Sequence, residues 1–288
     1  ALVSTLLERY RPRAILHFAA ESHVDRSIDG PRRFFDTNVL GTVNLLTCAQ
    51  HYTETVLSAS EKATFRFLHV STDEVYGSLS PEAPAFTEAS PYRPNSPYSA
   101  SKAASDHAVR AWSQTFGLPT ITTHCSNNYG PYQFPEKLIP LMITRALARR
   151  PMPLYGDGLN IRDWLHVNDH CEALRLILAK GKPGETYNIG ANQEVDNLTI
   201  VRALCAELDR RRPHPDGSYA DLISFVKDRP GHDRRYALNA QKLRRDLGWS
   251  PRIDFQRGLR ETISWYLDHA EWLARIQSGA YRTAPASS

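Results

Sequence analysis

The chain has 288 residues, 41% hydrophobic and 23% charged, enough to bury one large core or two linked ones. Its formal charge of +4 is spread thinly, with short basic clusters at residues 210–212 and 234–235, which argues against a nucleic-acid-binding surface. Cys48, Cys125, Cys171 and Cys205 are too scattered for a disulfide framework or zinc site, and no apolar stretch approaches the roughly 18 residues of a membrane span. With no charged-then-apolar leader at its start, the expectation is a soluble cytoplasmic protein that binds neither metal, membrane nor nucleic acid.

Residues 1–10 read as a helix, and the short apolar run 14–20, ending in small residues, as a buried parallel strand. A helix over about 33–50 places Phe35, Val39, Val43 and Leu46 on one stripe. The next strand covers 65–71, a long loop reaches about residue 97, a helix spans 98–116 and a strand 120–125. This alternation predicts an α/β protein: a parallel sheet flanked by helices. After Asn128, Pro and Gly become frequent. Short strands at 153–155 and 162–167 frame a helix over 168–179, followed by a strand at 185–189 and a helix over 197–209. Residues 213–218 read as a surface loop and 228–232 as a polar turn. Helices near 239–247 and 255–276 close the fold, and residues 283–288 are expected to fray.

Ligands of open parallel sheets collect outside the carboxyl ends of the strands. Two such ends carry polar residues here, at 19–22 and 71–74. Asp73 and Glu74 are vicinal carboxyls; two close carboxyls resist ionising together, so one can serve as acid and the other as base. Which does which is not readable at this level, and an exposed turn pair is the plainer alternative. Tyr98 and Lys102 share a helix face four residues apart, so the ammonium is expected to lower the phenol's pKa and make it a base for an alcohol proton. A partly buried tyrosine beside a surface lysine would give the same spacing. Asn127-Asn128-Tyr129-Gly130 is a polar break after an apolar strand, or simply a turn. Arg162 and the turn 228–232 offer diphosphate contacts, although single surface arginines are common.

The segments HFAAESHVDRSI (17–28), STDEVYG (71–77), PYSASKAASDH (97–107), CSNNYGPYQFPEKLIP (125–140), LYGDGLNIRDWLHVNDH (154–170) and DRPGHDRRYA (228–237) occur in that order. Together they resemble the dTDP-glucose 4,6-dehydratase family of the extended short-chain dehydrogenase/reductase superfamily. The resemblance implies a Rossmann-like NAD-binding domain over 1–130, joined by segments near 168–192 and 240–262. It implies a smaller α/β domain over 131–288, mainly for the nucleotide-sugar substrate. It also implies NAD-dependent conversion of dTDP-glucose to dTDP-4-keto-6-deoxyglucose, a lyase reaction.

In that chemistry Tyr98 takes the proton of the sugar's 4-hydroxyl as hydride passes to NAD⁺. Glu74 removes the carbon-5 proton, Asp73 protonates the departing 6-hydroxyl, and hydride returns to carbon 6. Thr72, Asp73, Glu74, Tyr98 and Lys102 match the catalytic positions. Phe18, Ala19, Ala20, Glu21, Ser22, Thr37, Tyr98, Lys102 and Asn128 match the NAD contacts. Ser22, Thr72, Asn127, Lys137, Leu138, Pro153, Leu154, Tyr155, Arg162, Asn197, Asp228, Arg229, Pro230, Gly231 and His232 match the substrate contacts. A homodimer is implied, through the helices near 33–50 and 98–116.

The sequence departs from the family in one respect: no strand and Gly-rich turn for the NAD pyrophosphate precede residue 14. A fragment of a longer protein is the expectation this raises. The alternatives are a UDP-glucose 4,6-dehydratase-like enzyme and a non-catalytic nucleotide-sugar-binding remnant. Asp73 and Glu74 count against a simple epimerase.

Overall fold

A computed structural model describes residues 1–280; the expectation for 283–288 lies outside the described residues. In chain order the strands are β1 (Ala14–His17), β2 (Arg66–Thr72), β3 (Thr120–Cys125), β4 (Asn127–Tyr129), β5 (Met152–Tyr155), β6 (Ile161–His166), β7 (Thr186–Ile189), β8 (Glu194–Asp196) and β9 (Ile223–Val226). The helices of the first half are α1 (Leu2–Tyr10), α2 (Val24–Asp29), α3 (Pro31–Phe34), α4 (Gly41–Thr55), α5 (Ala59–Thr64) and α6 (Pro97–Phe116). Those of the second half are α7 (Leu138–Leu147), α8 (Val167–Lys180), α9 (Asn197–Arg211), α10 (Gln241–Leu247), α11 (Phe255–Asp268) and α12 (Ala270–Gln277). They fall into two compact units, each built from three chain segments.

Unit 1 comprises Ala1–Ser126, Cys171–Asn192 and Gly231–Ser250. Its sheet is wholly parallel, in the order β1-β2-β3-β7, as the strand–helix alternation predicts. The register places His17 beside His69, Ser71 beside His124, and His124 beside Asn188. One face carries Ile15 and Phe67, packed with Leu46, Ala49 and Tyr52 of α4 and Val109 of α6. On the opposite face, Ile121 of β3 and Ile177 of α8 both approach Gly181.

The helix expected over 33–50 is instead α3, a wider π turn over Phe35–Leu40, and α4. The π turn shifts the phase of the stripe, so Phe35 is 40% exposed while Phe34 and Asn38 are buried. The strand at 14–20 ends at His17, which frees residues 18–22 to act as a loop.

Unit 2 comprises Asn127–His170, Gln193–Pro230 and Pro251–Ser288. β6 lies between β4, parallel to it, and β8, antiparallel to it; β5 and β9 form a separate parallel pair. Ile139, Met142 and Ile143 of α7, Ile200 and Leu204 of α9, and Leu259 and Ile263 of α11 share one core. The helix expected over 255–276 breaks at His269, whose backbone (φ −118, ψ 42) ends α11 and caps α12.

Candidate active site

β2 delivers the acid pair. Thr72 is extended (φ −130, ψ 152) and caps a 3₁₀ turn over Asp73–Tyr76, its Oγ1 accepting from the Glu74 amide at 3.3 Å. The same hydroxyl donates to Asp73 Oδ1 at 3.3 Å. Gly77 closes the turn at φ +86, where a Cβ would stand 2.3 Å from the Arg93 carbonyl oxygen. Tyr76 anchors the turn from below, donating to Asn188 Oδ1 at 2.9 Å and stacking on Phe86. Asp73 is buried and Glu74 half-buried.

α6 delivers the tyrosine and lysine. Ser96 and Ser99 cap each other's backbone amides, and Pro97 pre-sets the first turn, so the helix starts one residue before Tyr98. The Thr72 side chain neighbours the Tyr98 phenol, which places the phenol beside the acid-bearing turn. Burial pushes its pKa well above the usual value, Glu74, Cys125 and Asp73 push it further, and the Thr72 side chain opposes them. The expectation that Lys102 lowers this pKa is therefore corrected. Lys102 donates to the Val70 carbonyl at 2.9 Å.

The residues matching NAD contacts in unit 1 meet beside this pair. Asn38, on the π turn next to Thr37, accepts from the Glu21 amide at 2.8 Å and donates to its carbonyl at 3.0 Å. It also donates to Ser101 Oγ of α6 at 2.9 Å. The loop 18–22, Thr37 and the Lys102 turn of α6 are thus held as one piece. Sequence reasoning missed Asn38; its signal was a polar residue buried inside an otherwise apolar helical stripe. Lys102 is 4% exposed and gives one of its three N–H groups to Val70. A buried ammonium with donors to spare fits a ligand carrying hydroxyl acceptors, as the ribose of NAD does.

The residues matching substrate contacts form a second group in unit 2. Leu154 and Leu198 crowd Gly158, and Asp228 lies against Gly156, so the ends of β5, α9 and the 228–230 turn converge on residues 156–160. Pro153 and Tyr155 sit on β5, paired with Ser224 and Val226. Arg162 is buried on β6 opposite Val195, and the Asn197 amide donates to the Asn160 carbonyl at 3.1 Å. Asn127 Oδ1 and Asn197 Oδ1 are buried acceptors without a partner among the described residues. Asn128 pairs with His170 at 2.9 Å, Lys137 and Leu138 open α7, and Arg229 and Pro230 follow Asp228. Gly231 and His232 belong to unit 1, where Gly231 sits against the Asn95 carbonyl. Ser22 closes the loop after β1.

The chain is 58% identical over 283 residues to a dTDP-glucose 4,6-dehydratase of Xanthomonas campestris pv. campestris, covering 98% of this chain and 80% of that protein. The chain belongs to the dTDP-glucose 4,6-dehydratase family. The broader family profile described as GDP-mannose 4,6 dehydratase matches residues 1–262. The dehydratase DesIV of Streptomyces venezuelae, solved with NAD bound, is 45% identical and superposes with a TM-score of 0.84, covering 95% of this chain and 79% of that one. A Thermus thermophilus UDP-glucose 4-epimerase in complex with NAD shares the fold at 28% identity and a TM-score of 0.80, over 93% of this chain and 81% of that one.

Proposed function

We propose that the chain dehydrates dTDP-glucose to dTDP-4-keto-6-deoxyglucose in the site that Thr72, Asp73, Glu74, Tyr98 and Lys102 form. The observation that carries this is the Thr72 side chain, which neighbours the Tyr98 phenol and caps the turn that bears both carboxyls. An alcohol base and an acid–base pair thereby act on one hexose. Bound NAD supplies the electron acceptor for oxidation at carbon 4 and the donor for reduction at carbon 6. Tyr98 removes the 4-hydroxyl proton, the neighbouring Thr72 side chain favouring the ionised phenol. The ketone at carbon 4 acidifies the carbon-5 hydrogen, which Glu74 takes. Asp73 protonates the 6-hydroxyl, which leaves as water. Lys102, with Glu21, Ser22, Thr37 and the loop 18–20, holds the cofactor together with Asn128. Asn127, Asn197, Arg162 and the 228–232 turn hold the nucleotide diphosphate, arginine forks matching its oxygens.

The same reading takes the protein as a cytoplasmic homodimer, joined through the helices near 33–50 and 98–116, that supplies deoxysugars such as dTDP-rhamnose. No helix among the described residues is long and apolar enough to cross a membrane. The test is incubation of purified holoenzyme with dTDP-glucose, UDP-glucose and GDP-mannose, following loss of one water by mass spectrometry. dTDP-glucose is expected to react fastest. Asp73→Asn is expected to slow elimination by about a hundred-fold or more with substrate binding retained, and Tyr98→Phe to abolish oxidation. Wild-type turnover in both variants would refute the assignment.

A further inference from the structure

α6 is fastened to β2 by two charged side chains one helical turn apart. Lys102 grips the Val70 carbonyl at 2.9 Å. Asp106 takes the side chains on either side of it, His69 Nε2 at 3.1 Å and Ser71 Oγ at 2.9 Å. The oxygen that meets Ser71 also meets His124 Nε2 of β3 at 3.0 Å. His69, Ser71, Lys102, Asp106 and His124 are all buried. No substrate or cofactor role accounts for Asp106, and an ionised carboxylate this deep is costly unless it compensates other charges.

The donors in this cluster can be read from its acceptors. Asn188 Nδ2 donates to the Phe86 carbonyl, which turns its Oδ1 toward Tyr76. The Tyr76 hydroxyl uses its proton there, so His124 Nδ1, 2.8 Å away, donates to the phenol oxygen. His124 Nε2 faces both the Asp106 carboxylate and the Tyr92 hydroxyl, each at 3.0 Å. Asp106 thus meets His69 and His124 with its carboxylate and follows Lys102 by one turn of α6.

We propose that Asp106 is a positioning residue of the dehydratase site, whose carboxylate locks α6 onto the end of β2 and keeps Lys102 charged. The inference rests on the role given to Lys102 above. Burial pulls the Lys102 pKa down, and Asp106 is the foremost group pulling it back up, with Cys125 adding to it. Burial alone would raise the Asp106 pKa, but the bonds from His124 and His69 outweigh it and hold the carboxyl well below its usual range.

Glu88 of the 77–96 loop also faces the cluster, accepting from the Asn188 amide at 2.9 Å and acting on Tyr76. His69 is pushed down to about 4 by burial, and its Nδ1 has no partner among the described residues, as suits a neutral ring. His17 of β1, with its ring 5.2 Å from His69, is pushed down to about 3, again chiefly by burial. Burial raises Tyr76 of the 3₁₀ turn and Tyr92 of the 77–96 loop beyond ordinary titration.

The test compares kcat and KM of wild-type and Asp106→Asn holoenzyme across pH with dTDP-glucose. The alkaline limb of the kcat profile is expected to move to lower pH, with about a tenfold loss at its alkaline end and KM within about twofold. A uniform loss with the limb unmoved would mean a merely structural role and overturn the proposal. If the variant does not fold, ¹⁵N-lysine spectra of the wild type, with Lys102 assigned by its loss in Lys102→Arg, decide the matter. An ammonium throughout the active pH range is expected, and a neutral amine within that range overturns the proposal. That titration needs no turnover, so it stands apart from a failure of the substrate assignment.

Discussion

At Gly77 a single hydrogen atom decides where the two vicinal carboxyls of the turn point. The residue lies at φ +86, and any Cβ would meet the Arg93 backbone oxygen at 2.3 Å. Neither the chain at 93 nor the turn can yield without moving Glu74, because Arg93 donates to the Val75 carbonyl. Gly77→Ala is expected to cost about 1–3 kcal/mol and to lower kcat more than it raises KM. Thermal melting together with steady-state kinetics checks both halves. Tyr98, Asp73 and Glu74 were all legible as candidates, because a strand end and an i, i+4 spacing survive in one dimension. The electrostatics of Tyr98 were not: the direction of its shift is set first by burial and then by Glu74, and neither is readable in one dimension. Asp106 was invisible for a related reason, since its partners come from β2 and β3 and meet only once the strand register is known.

The twenty-residue α6 carries the tyrosine, the lysine and the buried aspartate, so its start sets the height of all three against β2. Ser96 accepts from the Ser99 amide at 3.1 Å, and Ser99 returns the bond to the Ser96 amide at 3.0 Å. Ser96→Ala is expected to destabilise the fold by about 1 kcal/mol, and chemical denaturation measures it. If the cap also holds the register, kcat falls in the same variant while the lower half of the helix stays docked. Long periodic elements such as this one were readable from the residues. The short strands β8 and β9, three and four residues long, were not, since so few positions establish no period. The π turn escaped for the opposite reason: residues 33–50 keep a helical pattern throughout, and one widened turn alters only its phase.

Several histidines are buried as neutral rings, and that gives the whole protein an acid limit. Burial lowers His17 to about 3, and His69 and His170 to about 4 each, all from 6.5. A folded-state value below the unfolded one means that the unfolded chain binds protons first as pH falls. The stability these rings contribute is complete above pH 6.5 and is lost as pH falls toward 4, at up to about 1.4 kcal/mol per unit for each. Melting temperature measured from pH 7.5 to 4.5 is expected to drop steeply below 6.5. His69→Asn is expected to flatten that slope.

The chain alternates between its two units in six segments, three to each, and so crosses from one to the other five times. No contiguous stretch of coding sequence specifies either half. Leu259, Ile263 and Tyr266, near the end of the chain, complete a core begun by Tyr129. A gene fusion or recombination event therefore cannot exchange either unit for another as a single cassette. New specificities on this scaffold have to accumulate residue by residue, inside a chain that folds as an interwoven whole.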